Sequence, residues 1–465
     1  MNPQDLDSTR SSGLNRLAVN FLKSPLTPFG FVIAGLALRI LVIFTLTDPW
    51  ISGPDAKSYV QSGLDLNSAG FLANSAPLRT FPVGYALILS PFLRLETTTG
   101  GHTFLLIQSI FFAACLIYFI IVARKYLNSN IILLVVALAS FSPALIDATT
   151  SVQYEGILVS LSFALLAVLI KFFNEVHGLR PIIMLLLTTG LMTFIHPRMG
   201  LVALVVAIAV FMRTRKAISS LTIVLINLLA AAVLVIRNFF STGTAGLSFN
   251  LGTNWYLGLP GINDACRNVF ASHTTVDQSL PSVDTALQNC SVSWIASNPL
   301  EWLQLIPIKL LAHFEPFIIR ILGSLDNWNG KGRISSWEPL ASEFNFIQVA
   351  NDWETKGISF VIAIAFALTL FGLVFIGLRV MISRDPAIKF LGWTSMGIVA
   401  VVAVPSLFFF GMLRFRIPSS PFLLLLIAFG IQQIFVWIGK YRKATAKSRT
   451  SRGSESQKDS ASLNS

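Results

Sequence analysis

The sequence predicts an all-α polytopic membrane protein with about 10 transmembrane helices, and three observations carry that expectation. The 465-residue chain is 54% hydrophobic and only 12% charged, too apolar to form one soluble core. Its apolar residues gather in runs near the ~20 residues that let a helix cross a bilayer with every backbone polar group paired inside the segment. Its charges segregate by loop: Lys and Arg dominate one set of alternating loops, and most acids fall in the other. A net charge of +12 would suggest nucleic acid in a soluble chain. Here the distribution follows the positive-inside rule, so no nucleic-acid partner is expected.

Residues 1–28 are too long and too acidic for the n-region of a signal peptide, so the first helix reads as a retained anchor with a cytoplasmic N-terminus. Apolar runs follow at 29–47, 103–123, 131–148, 155–173, 181–196, 199–212, 218–236, 358–380, 388–411 and 419–439. The runs at 181–196 and 199–212 are short and joined tightly through HPRMG, consistent with a hairpin that does not fully cross. Basic residues cluster at Arg124 and Lys125, at RTRK over 213–216, and at Lys440, Arg442, Lys443, Lys447 and Arg449. This places both termini in the cytoplasm and leaves two large outer loops, 48–102 and 237–357. Residues 29–440 are then the membrane domain, and the Ser-, Lys- and Arg-rich tail 441–465 is expected to be disordered.

Two further apolar stretches read as interfacial helices. PVGYALILSPFLRL at 82–95 is short and holds two prolines. Over 299–322, Glu301, Lys309, His313, Glu315 and Arg320 share one arc at helical spacing. Of the cysteines, Cys115 lies in an apolar run, whereas Cys266 and Cys290 share the second outer loop. In an oxidising compartment that pair could close a disulfide contributing roughly 3 kcal/mol; two buried thiols are the other reading.

Soluble cofactor motifs are absent. GSLDNWNGK at 323–331 has the wrong spacing for a phosphate loop, no Cys or His spacing resembles a zinc site, and no Gly-x-Ser-x-Gly elbow occurs. Three polar groups at the outer membrane boundary stand out instead. GPDAKSY at 53–59 puts Asp55 one helical turn before Tyr59, where the carboxylate could accept a proton or simply cap a helix. SPALIDATTSVQYEGI at 142–157 brings Asp147, Tyr154 and Glu155 to the same face, although an acid starting an apolar helix also complements the helix dipole. Arg79, His196, Arg198, Arg237, Arg414 and Arg416 complete the set. Guanidinium groups bind phosphate through paired hydrogen bonds, but arginines at a membrane end also snorkel to lipid headgroups.

The stretches GPDAKSYVQSGLDL, LRTFPVGYALILSPFLRL, SPALIDATTSVQYEGILVSLSFALL, VIRNFFSTGTAGLSFNLGTNWYLG and LRFRIPSSPFLL resemble, in order and spacing, the GT-C class of membrane glycosyltransferases. That group includes the protein O-mannosyltransferases and the lipid A aminoarabinose transferases, and the likeness is to its bacterial, polyprenyl-phosphate-sugar-dependent branch. It covers roughly residues 29–260 and the last two helices. It implies a bundle with interfacial helices in the first outer loop, a larger second outer loop, and transfer of a sugar from a polyprenyl phosphate to an extracytoplasmic glycan, lipid or protein acceptor. By the same resemblance Asp55 matches the catalytic base and Glu155 the acidic position opening the fourth helix. Tyr59, Arg79, His196, Arg198, Arg237, Arg414 and Arg416 are the candidates for substrate and phosphate binding. The family's paired prolines correspond to Phe81 and Pro82, a departure, and 262–357 carries no recognisable pattern. No cofactor is expected; metal dependence varies within the class, and no ligand set for a divalent ion is visible. A lipid-linked glycan polymerase or ligase is the nearest alternative, and a polytopic transporter a more distant one.

Overall fold

The computed structural model describes residues 24–53, 55–95, 97–175, 179–259, 266, 280–314, 358–408 and 413–462. Every regular element among them is helical. In chain order these are α1 (Thr27–Phe44), α2 (Ala56–Ala69), α3 (Ala76–Thr80), α4 (Val83–Leu89), α5 (Thr97–Ala123), α6 (Ser129–Phe141), α7 (Pro143–Thr149), α8 (Tyr154–Asn174) and α9 (Leu179–Ile195). Then come α10 (Gly200–Thr214), α11 (Ala217–Thr242), α12 (Leu251–Leu257), α13 (Pro281–Ser297), α14 (Pro299–His313), α15 (Ile358–Gly377), α16 (Pro386–Phe408), α17 (Leu413–Arg416) and α18 (Ser420–Ser462).

Seven of the described helices are long and apolar enough to cross a bilayer, or eight if the bent pair α6–α7 counts as one span. The segments 179–195 and 368–382 are shorter apolar helices. Helix α8 is apolar on all sides and buried along nearly its whole length, so it is the central post of the bundle. Helix α11 is the reverse case: Leu225, Leu228 and Leu229 are exposed on a flank whose complement is lipid.

Four expectations differ from what is observed. The run 131–148 breaks by 58° between α6 and α7. Pro143 has no N–H, so the Ala139 carbonyl one turn earlier loses its donor, and with the helix broken at Ser142 so does the carbonyl of Ser140. Arg39 of α1 supplies the donors. Its guanidinium, 1% exposed, donates to Ser140 O at 2.8 Å, Ala139 O at 3.3 Å and Thr149 Oγ1 at 2.8 Å, and lies 4.4 Å above the Phe112 ring. Gly35 permits this approach, since a Cβ there would lie 2.8 Å from Ser140 Cβ. The stretch 82–95 is not one helix but α4 and a separate 3-10 turn, Phe92–Arg94, with Pro91 between. In α14, Glu301 is exposed, but Lys309 and His313 turn inward to Leu407 O (3.3 Å) and Ser406 Oγ (2.8 Å); Glu315 and Arg320 lie outside the described residues. Finally, α18 continues as helix to Ser462 rather than ending in a disordered tail, because 441–462 contains no proline and extends a turn already formed.

Candidate active site

The candidate residues meet at one end of the bundle. The segment between α1 and α5 reaches them through a turn in which Gly53 and Asp55 both have positive φ, 118° and 60°. At Gly53 the conformation suits only glycine, and a Cβ would also lie 3.1 Å from Ser151 Cβ. The turn is stitched to the α7–α8 connection by Val152 N–H donating to Ser52 O at 2.6 Å. Gln108 of α5 fixes that connection from beneath, its Nε2 donating to Thr149 O at 3.1 Å and Ser151 O at 3.0 Å. Asp55 and Glu155 are thereby carried on one framework.

Asp55 stands at the N-cap position of α2, yet its side chain makes no capping hydrogen bond. It pairs instead with Arg414, whose Nη1 lies 2.6 Å from Asp55 Oδ2. The Asp55 side chain keeps 32% exposure and that of Arg414 15%. A carboxylate offers two oxygens, and Oδ1 remains free to accept from another group.

Glu155, at the start of the central post α8, is fully buried. Neither of its oxygens has a hydrogen-bond partner, and Arg198 Nη2 is 4.0 Å from Oε1. A buried carboxylate without hydrogen bonds is costly, so this geometry is held by the surrounding packing. The Arg198 guanidinium packs against two rings, 5.2 Å from that of Tyr154 and 5.1 Å from that of Phe415. Tyr154 in turn packs 4.5 Å from His196 and 5.9 Å from Tyr59.

Tyr59 forms the wall behind Asp55, with Phe81 at 4.8 Å and Tyr85 at 5.0 Å between centroids. The hydroxyls of Tyr59 and Tyr85 are buried without a hydrogen-bond partner. Burial first, then the nearby Tyr154, Asp55 and Glu155, pushes the Tyr59 phenol well above its ordinary value, with Arg414 opposing. Tyr59 therefore stays neutral, able to donate a hydrogen bond and unable to serve as the base.

Of the sequence candidates, Asp55, Tyr59, Tyr154, Glu155, His196, Arg198 and Arg414 are thus brought together. Arg416 packs 5.9 Å from the Phe314 ring, beside His313. Arg237 does other work. Buried in α11, it donates to Leu78 O and Phe71 O at 3.1 Å each and to Ala73 O, holding the chain between α2 and α3 against α11. Arg79 belongs to the same corner, donating to Asn74 Oδ1 at 2.6 Å. Asp147 lies one turn from Ser151, which donates to its Oδ1 at 3.5 Å. Cys266 and Cys290 are joined by a disulfide, with Cα atoms 5.8 Å apart, and Cys115 is a buried free thiol.

Two participants escaped sequence reasoning, and two residues read as part of one interfacial arc are buried instead. Phe415 separates Arg414 from Arg416 in MLRFRIP and contacts Arg198 and Arg414; the alternation of arginine with an aromatic was the available signal. Tyr85 was hidden inside an apolar stretch. Lys309 and His313, one turn apart and buried, carry a spacing that an exposed arc would share. Among the described residues, no group of three His, Cys, Asp or Glu side chains converges as a metal would require.

No family model matches this chain, and no curated protein does either. The fold itself establishes the class: an α-helical, membrane-embedded, multi-pass protein.

Proposed function

We propose that the protein is a GT-C-like glycosyltransferase that moves a sugar from a polyprenyl-phosphate donor to an acceptor hydroxyl, with inversion, on the extracytoplasmic side. The observation that carries this reading is the Asp55–Arg414 pair: a partly exposed carboxylate, excused from capping its helix, beside a guanidinium at the end of the membrane span. Such a pair supplies the two charges that the reaction needs. The acceptor oxygen attacks the anomeric carbon, its proton passes to Asp55 Oδ1, and the anomeric C–O bond breaks with its electrons leaving on the phosphate.

Positive charge builds on the sugar ring and negative charge on the departing phosphate. Arg414 and Arg198 stand where they can stabilise that phosphate through charge-assisted hydrogen bonds. Glu155 faces Arg198 from within the bundle and orients it, while the rings of Tyr154 and Phe415 pack against the guanidinium. A single displacement with one base implies inversion. The orientation belongs to the same proposal: the basic end holding Arg124, Lys125, Arg213, Arg215 and Lys216 faces the cytoplasm, and Asp55 the outside.

The test is to incubate the purified protein with a panel of polyprenyl-phosphate sugars and glycan, lipid and peptide acceptors, following release of free polyprenyl phosphate. Acceptor-dependent release from at least one donor is expected. No release from any donor, with the protein folded, removes the proposal; growth of repeated units on one lipid carrier selects a polymerase instead.

A further inference from the structure

At the end of the bundle away from Asp55, the end of α15, the turn Leu378–Ile382 and α18 enclose a groove that sugar transfer does not use. We propose that it binds one anionic glycerophospholipid of the adjacent leaflet, with the phosphate on Arg379 and an acyl chain along the apolar wall. The groove holds about 510 Å³ and is lined by Phe375, Ile376, Leu378, Arg379, Ile382 and Trp437. Phe375 and Ile382 are each 76% exposed, as side chains facing acyl chains are. Trp437 lies about 26 Å along α18 from Ser420 at 1.5 Å per residue, which is interfacial depth, where tryptophan concentrates.

The charge decides which lipid. The Arg379 guanidinium lies 5.2 Å from the Trp437 ring and, among the described residues, has no ion-pair partner. The nearest acid in sequence, Asp385, is occupied in capping α16, its Oδ1 accepting from Ala387 N at 2.9 Å and Ile388 N at 3.5 Å. Lys440 lies on α18, and Arg384 and Lys389 follow the turn, in the link to α16 and in its first turn; all three add positive charge to this end of the bundle. Basic pockets between helices at this boundary favour anionic headgroups. A second copy of the chain is a poorer occupant, since six lining residues fall far below the roughly 20 to 30 per side of a stable interface.

The site is independent of the transfer reaction and is tested without it. Purified protein in detergent is titrated with dioleoyl-phosphatidylglycerol or dioleoyl-phosphatidylcholine, and bound lipid is counted by native mass spectrometry. The phosphatidylglycerol should be retained over the phosphatidylcholine. Arg379→Gln should weaken its binding about fivefold and remove the preference. Ile382→Trp, which fills the groove and leaves the charge intact, should weaken both lipids, and size-exclusion profiles report folding of each variant. Equal retention of both lipids by the unmodified protein overturns the proposal, as does undiminished phosphatidylglycerol binding by Arg379→Gln, or a dimer that Ile382→Trp dissolves.

Discussion

Asp55 and Arg414, 359 residues apart in the chain, form a 2.6 Å ion pair that ties the segment between α1 and α2 to α17, just before the last helix. The pair closes the site around Arg198 and Glu155. It also makes the two residues separable by experiment, because they carry different parts of the proposed chemistry.

Replacing Arg414 should affect the donor. Arg414→Gln removes a charge-assisted contact, which typically costs about 1.5 to 3 kcal/mol, so donor use should fall roughly 10- to 100-fold. Arg414→Lys keeps the charge but not the fork and should recover only part. Donor titration of purified variants measures this. Unchanged donor kinetics in both would return Arg414 to a structural latch on Asp55.

The bend between α6 and α7 gives a stability prediction that does not involve activity. Arg39→Met leaves the Ala139 and Ser140 carbonyls without donors in the membrane, and should destabilise the protein by about 2 kcal/mol or more. Pro143→Ala restores an N–H at the break, so adding it to Arg39→Met should recover part of the loss. Thermal unfolding of the single and double variants checks the coupling; strict additivity would mean that Arg39 does not stand in for the missing backbone donor.

Lys309 supplies a pH dependence. Burial lowers its ammonium from 10.5 to about 8, so below about pH 8 the folded protein carries the full cost of a buried cation. Between 8 and 10.5 the unfolded chain binds more protons than the folded one, and stability rises with pH. Lys309→Met lacks this term. The stability gap between the variant and the parent should therefore narrow as pH rises from 7.5 to about 10. A gap that stays constant would show that Lys309 is neutral, or otherwise paired, throughout.

Orientation is checked with single cysteines at exposed positions. Thr244→Cys, after α11 on the Asp55 end, should react with an impermeant maleimide in intact cells, whereas Lys216→Cys should react only after permeabilisation. The reverse pattern would move the site to the cytoplasm.

Membrane character was legible in the sequence because lipid demands long apolar helices, and that demand leaves a strong mark. The break at Pro143 was less so: proline is tolerated within spans, and only the position of Arg39, about a hundred residues away, shows how the freed carbonyls are satisfied. For the site, the residues at helix ends could be named because charge is scarce in this chain. Their grouping could not. Arg237 and Arg414 look alike in sequence, yet one secures backbone carbonyls and the other meets a carboxylate, a difference that depends on which loops the tertiary fold brings close. Tyr85 was invisible for the opposite reason, since an aromatic among apolar residues carries no mark of a polar neighbour, whereas Phe415 was marked by the arginines on either side of it.

Asp55 remains the decisive residue. Asp55→Asn preserves shape and one acceptor oxygen but removes the proton acceptor and the charge opposite Arg414. In the variant, sugar transfer should fall at least about 100-fold, in the range of general-base catalysis, while folding and donor affinity stay near those of the parent. Both quantities are to be measured on one purified sample. Transfer within a few-fold of the parent, at equal donor affinity, would contradict the assignment of Asp55 as the base.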